Sequence, residues 1–447
     1  MSHTTIERIQ VSENHRFLVT ETGAPFFWLG DTGFELFHRL NYADAELYLE
    51  NRRQKGFNVV LAVVLAQQDG LNTPNMNGHT PLLGNDPNRP NEHYFKYIDC
   101  ILRLAASKGI YIGLLPTWGD KVTPQWEPGP AIFTLENSFA FGKYLGDRYK
   151  SYKNLIWVLG GDRSGKGFEG IWSQMAGGLT EGTGQMPLIT YHPQGLTGSS
   201  MWFHQSEWLN INMWQSGHYR SDMPNWEMIT RDYNREQPKP VFDGESNYED
   251  HPVDPYTREW KPEYGRFNDY DIRKQAYRAV FAGACGHTYG HHSVWQMYSP
   301  SVKPITFPVY YWYEAIDRPG SHQLIHLKNL MLSRPYLTRI PDQNLLISDP
   351  GEYSDHVQAT RAADGSYAFI YIPKASQRVE VDLSRLAGPV KAWWYDPRNG
   401  KTFEIGEFNP NQHAATFTSP IAGSDWVLVL DAISAGYPTP GKITTLK

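Results

Sequence analysis

The chain has 447 residues, 40% of them hydrophobic, and a formal net charge of −6. This composition supplies a large core, and the length allows two or three domains. A net negative charge does not favour binding to nucleic acid, whose backbone is itself negative. No apolar run is long enough to span a membrane. We therefore expect neither nucleic acid nor a membrane as a partner. The aromatic fraction of 14% fits a carbohydrate site, although a large aromatic core explains it equally well.

Two cysteines, Cys100 and Cys285, are too few for a disulfide framework or a cysteine metal site. Residues 1–8 contain no apolar stretch of the kind that an export signal carries, so we expect no signal peptide in the chain. This leaves a cytoplasmic protein and an exported protein with its signal removed as alternatives. The oligomeric state is left open.

From the N-terminus, residues 16–29 predict a β-hairpin that leads into a regular alternation of strands and helices. Such alternation implies βαβ crossovers and a parallel sheet. Eight strands are predicted, with polar residues at or just past their ends; they lie at 26–32, 58–65, 110–115, 154–162, 188–193, 209–218, 240–245 and 286–290. Predicted helices lie at 44–55, 94–108, 137–149, 223–236, 272–282 and 311–332.

Eight such units predict an α/β fold of the (β/α)8 TIM-barrel type over residues 1–345, with the β-hairpin at its start. An open doubly wound sheet is the alternative, but it usually carries a Gly-rich phosphate loop after its first strand. Residues 29–34 lack that pattern. After about Pro341, short strand patterns separated by turn signals predict a small C-terminal antiparallel β-sandwich domain over residues 346–447.

Two predicted barrel strands, the fourth and the seventh, end in glycine followed by a carboxylate: Gly161-Asp162 and Gly244-Glu245. Enzymes with this fold carry their chemistry at the carboxyl ends of the strands. Two carboxylates that face each other across the barrel mouth are the minimal equipment for cleaving a glycosidic bond, because proximity keeps one protonated while the other is ionised. The ordinary alternative for each carboxylate is a helix cap or an ion pair.

Neighbouring charged residues bear on this assignment. Arg163 would favour an ionised Asp162 if the two paired, but adjacent strand residues point opposite ways, so we expect Arg163 to face elsewhere. Asp243 is a rival catalytic carboxylate, which we expect to lie one layer deeper and to orient its neighbours.

Other polar and aromatic residues at or just past the predicted strand ends are candidates for substrate binding. Core packing or capping is the alternative for each. The candidates are Asp31, Gln67, Trp118, His192, Gln215, His218, Tyr248, His287 and Trp295. Histidine is also the commonest metal ligand, but neither H-E-x-x-H nor a Cys/His zinc spacing is present. We predict no metal and no cofactor, and expect these histidines to donate to sugar hydroxyls or to hold a carboxylate.

These motifs together resemble glycoside hydrolase family 140, the apiosidase-like group, whose barrels carry a C-terminal β domain described as collagen-binding-like. The resemblance covers about 11–431. It lies in the segments 28–32, 154–162, 215–218, 243–249 and 286–290.

The resemblance implies a retaining glycoside hydrolase with Asp162 as acid/base and Glu245 as nucleophile. It also implies a carbohydrate substrate, an apiosyl linkage in plant pectin or a related glycoside. The broader clan has Asn-Glu where this chain has Gly161-Asp162, so the shorter Asp must approach the leaving oxygen more closely. Two alternatives are a non-catalytic carbohydrate-binding barrel and, less favoured, a His-dependent metallohydrolase.

Overall fold

The computed structural model describes residues 6–124, 130–409 and 413–443. The chain begins with a small antiparallel sheet of β1 (Ile9–Val11), β2 (Leu18–Thr20) and β3 (Pro25–Phe26). In the predicted hairpin, Gly23 adopts φ +85° and the turn leads from β2 into β3. This sheet precedes the first barrel strand.

The main sheet is a nearly closed barrel of nine strands, eight of which run parallel in chain order. The ninth, β9, pairs antiparallel with β10. The strands are β4 (Trp28–Thr32), β5 (Val59–Leu65), β6 (Tyr111–Thr117), β7 (Leu155–Gly160), β8 (Ile189–His192), β9 (Thr197–Gly198), β10 (Asn212–Gln215), β11 (Val241–Asp243) and β12 (Gly286–Tyr289). Between β8 and β10, the Asn210 amide donates to the Ile189 carbonyl at 2.9 Å. The predicted (β/α)8 barrel is therefore confirmed.

The helices surround this barrel. They are α1 (Leu36–Arg39), α2 (Tyr42–Gln54), α3 (Glu92–Ser107), α4 (Leu135–Tyr149), α5 (Glu169–Thr183), α6 (Ser200–Phe203), α7 (Asn225–Tyr233), α8 (Asp269–Phe281), α9 (His292–Trp295), α10 (Trp312–Ala315) and α11 (Pro319–Leu332). The single helix predicted over 311–332 is wrong: it is divided into α10 and α11. Pro319 lacks an amide hydrogen and so starts a new helix rather than continuing the previous one.

Helix α5 follows β7 in a segment for which the sequence predicts no helix. The segment contains four glycines, and glycine is a poor helix former. Those glycines permit unusually close packing against α4. A Cβ on Gly142 would lie 2.3 Å from the Met175 carbonyl oxygen, and one on Gly178 would lie 2.1 Å from that of Phe139. The two helix backbones therefore touch, and tertiary packing compensates for the low intrinsic helix propensity.

The C-terminal domain contains a six-stranded antiparallel sheet and a two-stranded ribbon of β16 and β19. Their inner faces share one apolar core, as predicted for a sandwich. The strands are β13 (Arg339–Pro341), β14 (Gln358–Ala362), β15 (Tyr367–Ile372), β16 (Arg378–Asp382), β17 (Val390–Tyr395), β18 (Thr402–Phe408), β19 (Ala414–Thr418) and β20 (Trp426–Ala432). Because β13 pairs with β14, a division at 346 would separate β13 from its own sheet.

Candidate active site

Glu245 lies just beyond the carboxyl end of β11, between two histidine side chains. His192 Nε2 is 2.9 Å from Glu245 Oε2, and His218 Nε2 is 3.0 Å from Glu245 Oε1. His192 is the last residue of β8, and His218 lies three residues after the end of β10. The ends of β8, β10 and β11 therefore converge on one carboxylate. The Glu245 side chain is 10% exposed, which leaves it reachable from the mouth while its charge is largely removed from water.

A single imidazole connects Glu245 to Asp162. The Asp162 backbone N–H donates to His192 Nδ1 at 3.2 Å. Because Nδ1 accepts, the network assigns a ring proton to Nε2, which lies 2.9 Å from Glu245 Oε2. The His192 ring therefore links the two strand-end segments.

The chain reaches Asp162 through a turn in which three consecutive residues have left-handed backbone conformations. Gly160, Gly161 and Asp162 have φ of 82°, 120° and 53°. A Cβ on Gly161 would lie 2.8 Å from both the Gly119 amide nitrogen and the Trp118 ring, so a side chain does not fit there. Asp162 adopts an uncommon conformation for a non-glycine residue, and such strain is concentrated at functional sites. The turn leaves the Asp162 side chain 28% exposed.

The expectation that Arg163 faces away from Asp162 is wrong. Its Nη1 donates to the Asp162 carbonyl at 2.8 Å and lies 3.8 Å from Asp162 Oδ2. The alternation of a strand does not apply, because β7 ends at Gly160 and the following residues turn. Arg163 is fully buried, and its Nε also donates to the Thr123 carbonyl at 3.2 Å. The guanidinium thus braces the turn through backbone carbonyls.

The surroundings hold Glu245 in its ionised form. Burial alone would raise the pKa of its carboxyl group. The hydrogen bonds from His192 and His218 act in the opposite direction and prevail, so the pKa falls from 4.5 to about 2. A buried, ionised carboxylate held by two donors is suited to act as a nucleophile.

We predict that His192→Phe moves the acidic limb of the pH–kcat/KM profile to higher pH. The phenyl ring keeps the volume but removes the donor, so the pKa of Glu245 rises and the carboxylate protonates earlier as pH falls. A hydrogen bond to a charged group contributes about 1.5–3 kcal/mol, which corresponds to a shift of roughly one to two pH units. His204→Phe is the control, because His204 instead contacts Asn212 and the Glu236 carbonyl. An unmoved acidic limb in His192→Phe would contradict this role.

Four further sequence candidates lie at the same end of the barrel. Gln67, Trp118 and Gln215 are buried, and each has a polar side-chain atom without a hydrogen-bond partner among the residues the structure describes. Buried polar atoms usually have a hydrogen-bond partner, and a bound substrate or water can supply one here. The Trp118 ring centroid lies 5.5 Å from that of His192, and the Tyr248 ring lies 4.4 Å from His218. The Tyr248 hydroxyl also interacts with Glu245.

The contacts of Asp31, a predicted substrate-binding residue, are those of a structural ion pair. Asp31 is fully buried, with Oδ2 2.8 Å from Arg52 Nε and 2.6 Å from the Tyr48 hydroxyl that donates to it. Both partners belong to α2, so the Asp31 side chain points from the barrel toward the helix layer. It is a structural ion pair of the scaffold.

We predict that Arg52→Met lowers the free energy of unfolding by about 3–5 kcal/mol, because it leaves the buried Asp31 carboxylate uncompensated. Chemical denaturation followed by fluorescence measures this loss. The double variant Asp31→Asn/Arg52→Met removes both charges and should recover part of it. Equal stability of Arg52→Met and the wild type would contradict the pairing.

His287 contacts Ser246, the residue after Glu245, with 3.3 Å between the Ser246 hydroxyl and His287 Nε2. His287 is directly opposite Asp243 in the parallel ladder, so both side chains point to the same side of the sheet. Asp243 accepts from Asn225 of α7 at 3.0 Å, which places both on the helix side of the barrel. Burial lowers the pKa of His287 to about 3, so the ring is neutral. Trp295 Nε1 donates to His292 at 3.4 Å. The substrate-binding roles of His287 and Trp295 stay predictions.

Asp243 acts as an orienting residue, as its place before Glu245 suggested. Its carboxylate accepts from the Ser216 hydroxyl at 2.7 Å as well as from Asn225. Burial raises the pKa of Asp243 despite these hydrogen bonds. The contact with Ser216 fixes the segment that leads to His218.

Three residues of this site escaped the sequence analysis. The pKa values of Tyr219 and Tyr256 are both raised, first by burial and then by nearby negative charges. Those charges include Asp162 and Glu245 in both cases, so the two phenols lie close to the catalytic pair. The Tyr256 hydroxyl lies 3.0 Å from His251 Nε2, and the His251 ring stacks on His218 with centroids 4.3 Å apart. They lie in the loops after β10 and β11, where barrel enzymes build specificity, and that position was the available signal.

Within the described ranges, no group of three or more His, Cys, Asp and Glu side chains has the arrangement of a metal site. The helices described there also include none long and apolar enough to cross a membrane. The histidines of the mouth instead contact carboxylates, backbone carbonyls and each other.

Comparison with known proteins places this geometry in a family. Residues 12–338 match the model of the apiosidase-like catalytic domain, and residues 340–431 match a putative collagen-binding domain of a collagenase. A solved structure described as a glycoside hydrolase is 34% identical, with a TM-score of 0.87 over 97% of this chain and 98% of that one. No curated protein matches the chain.

A second solved structure, a glycoside hydrolase family 5 protein from Bacteroides vulgatus ATCC 8482, is 33% identical, with a TM-score of 0.88 over 98% of this chain and 96% of that one. A third, a putative glycoside hydrolase from the same strain, is only 14% identical at a TM-score of 0.69 and shows the fold alone. The sequence resemblance to the apiosidase-like group is thereby confirmed. This chain is a glycoside hydrolase and belongs to the apiosidase-like family.

Proposed function

We propose that this enzyme hydrolyses a plant-derived glycoside with retention of anomeric configuration, with Glu245 as nucleophile and Asp162 as general acid and base. The observation that carries the proposal is the placement of Glu245: an ionised carboxylate held by His192 and His218, one imidazole away from the Asp162 backbone. Retaining glycosidases need one ionised and one proton-carrying carboxyl group on opposite sides of the scissile bond.

In the first step, Glu245 attacks the anomeric carbon and forms a covalent glycosyl-enzyme, while Asp162 protonates the departing oxygen. In the second step, Asp162 takes a proton from water, the water oxygen attacks the anomeric carbon, and the bond to Glu245 breaks. Asp162 regains its proton, and Glu245 its charge. The two histidines stabilise Glu245 as a carboxylate before attack and after release.

The surroundings of Glu245 support retention over inversion. Retaining pairs of carboxyl groups lie about 5–5.5 Å apart and inverting pairs about 6.5–9.5 Å apart, because the latter need room for a water. Here a single ring, His192, contacts both the Asp162 amide and the Glu245 carboxylate, so the two segments meet at the mouth, as a facing pair of carboxyl groups requires. The two donors on Glu245 also suit a nucleophile better than a base that must release a water-derived proton.

For the substrate we propose an apiosyl linkage in pectin or a related plant glycoside, supported by membership of the apiosidase-like family. The site offers hydrogen-bonding amides from Gln67 and Gln215. The phenols of Tyr219 and Tyr256 lie close enough to Asp162 and Glu245 for both negative charges to raise their pKa values. Such a mixture of amides and aromatic rings is suited to a polyhydroxylated ring with apolar C–H faces.

A panel of plant glycosides tests this assignment. The wild-type enzyme and the Glu245→Gln variant are incubated with apiosides, arabinosides, galactosides and xylosides, and released monosaccharides are separated by anion-exchange chromatography. We expect apiose to be released by the wild type and not by the variant. Preferential release of another sugar would replace the substrate assignment. Tight binding without release of any sugar would instead support a non-catalytic carbohydrate-binding barrel.

A further inference from the structure

A second cleft lies between the barrel and the C-terminal domain, outside the catalytic mouth. Its volume is about 610 Å³, within the usual range for ligand sites, which often form where domains meet. Residues between 220 and 227 line its barrel side, and residues between 349 and 356 line the other side. Neither the catalytic pair nor its histidines contribute to it.

Aromatic and cationic groups form the walls of this cleft. The rings of Trp226 and His356 stack across the domain boundary, with centroids 4.0 Å apart and planes 7° apart. The Arg220 guanidinium carbon lies 5.0 Å from the centre of the Tyr353 ring. Tyr353 is 52% exposed, so much of a large aromatic side chain remains open to a ligand.

The segment that carries Tyr353 is fixed in place before any ligand arrives. Arg278 of α8 donates to the carbonyls of Ser354 and His356 at 3.0 and 2.8 Å. His356 Nδ1 is 3.1 Å from the Gly351 carbonyl oxygen. Tyr353 itself has φ +48°, a strained conformation for a bulky residue. Strain of this kind persists where the surroundings over-determine it, which is typical of ligand clamps.

The loop after β10 contributes residues to both the catalytic mouth and the cleft. Asn247, two residues beyond Glu245, donates to the carbonyls of Gly217 and Arg220 at 2.9 and 3.3 Å. That loop carries His218 on the catalytic side and Arg220 on the cleft side. His218 and Arg220 are only two residues apart along this loop, so the two sites are near neighbours on the protein.

The charged side chains that line the cleft favour neutral sugars over acidic ones. Glu227, Asp349 and Glu352 are exposed carboxylates on its lining, whereas the Arg220 guanidinium is already 2.9 Å from Asp222. An additional carboxylate, such as that of a uronic acid, would be repelled here. Neutral sugars offer hydroxyl donors to these carboxylates and an apolar face to Tyr353.

We propose that this cleft is a second saccharide-binding site, which holds a neutral sugar unit of the chain that carries the scissile glycoside and stacks it on Tyr353. The proposal rests on the proposed glycosidase function for the identity of that chain. The binding site itself needs no turnover, so the two can be tested separately.

Binding is measured by calorimetry in the Glu245→Gln background, so that no probe is consumed. The probes are neutral galactan, arabinan and xyloglucan oligosaccharides and an oligogalacturonate of equal length. We expect at least one neutral probe to bind and Tyr353→Ala to weaken it about fivefold to tenfold, as loss of one aromatic contact predicts. Tyr353→Phe keeps the ring and should bind like its parent.

Phe403→Ala is the matched control, because Phe403 is 50% exposed on the same domain but does not line the cleft. It should leave binding unchanged. Absence of binding by every neutral probe, preference for the oligogalacturonate, or equal affinity of Tyr353→Ala and its parent would overturn the proposal. Tyr353-dependent binding in an enzyme that cleaves no glycoside would uphold the cleft and refute the proposed function alone.

Discussion

Glu245→Gln should abolish turnover, with kcat reduced on the order of 10⁴–10⁶-fold, the range seen when a nucleophile is removed from an enzyme. The amide keeps the size of the side chain and can still contact His192 and His218. It lacks the negative charge that attacks the anomeric carbon, so the covalent intermediate does not form. Substrate affinity should change little, because the amide still fits between the two rings. Steady-state kinetics and calorimetric binding separate these two quantities.

Chemical rescue sharpens this prediction. Glu245→Ala opens space for azide, which should restore turnover and yield a glycosyl azide of the opposite anomeric configuration. Asp31→Asn is the control for altering a strand-end carboxylate, because Asp31 lies among α2 side chains. It should lower stability and leave kcat of the folded enzyme within a few fold. Near-normal kcat in Glu245→Gln would refute the nucleophile assignment.

Asp162→Asn should reduce kcat about 10²–10⁴-fold, the usual contribution of general acid–base catalysis. The size of the loss should depend on the leaving group. A sugar or alkyl leaving group needs the proton and should show the full loss, whereas a nitrophenyl leaving group departs readily and should show less in the first step. For the nitrophenyl substrate, slow hydrolysis of the glycosyl-enzyme should then appear as a burst of nitrophenol.

Stopped-flow measurement of nitrophenol release detects that burst. The wild-type enzyme, in which Asp162 serves both steps, is the reference. Asn preserves the left-handed turn after Gly161, since Asn tolerates positive φ as well as Asp does. An equal loss for nitrophenyl and sugar leaving groups, without a burst, would indicate that Asp162 positions the substrate and does not transfer the proton.

The sequence predicts the barrel well because its strands are buried on both faces and read as continuous apolar runs bounded by turn signals. The helices that it misses or merges have specific causes. Helix α5 is rich in glycine, and its stability comes from contact with α4 that no local pattern contains.

The same burial limits what the sequence can say about the direction of the side chains at the strand ends. When both faces of a strand are apolar, the sequence does not indicate which alternate residues point into the mouth. Asp31 and His287 follow the same pattern as His192, yet they lie on the helix side of the sheet. The positions of Glu245 and Asp162 past their strand ends are predictable, because glycine before a carboxylate marks a tight turn there. Tyr219, Tyr256 and His251 lie in loops, where periodicity gives no guidance.

The anomeric configuration of the first-formed product tests the central claim most directly. Wild-type enzyme is mixed with a glycoside that it cleaves, and the anomeric protons are followed by NMR before mutarotation equilibrates the free sugar. Attack by Glu245 followed by attack of water inverts the centre twice, so the first product should carry the same configuration as the substrate. A first product of the opposite configuration would contradict Glu245 as nucleophile and assign it, with Asp162, to an inverting pair.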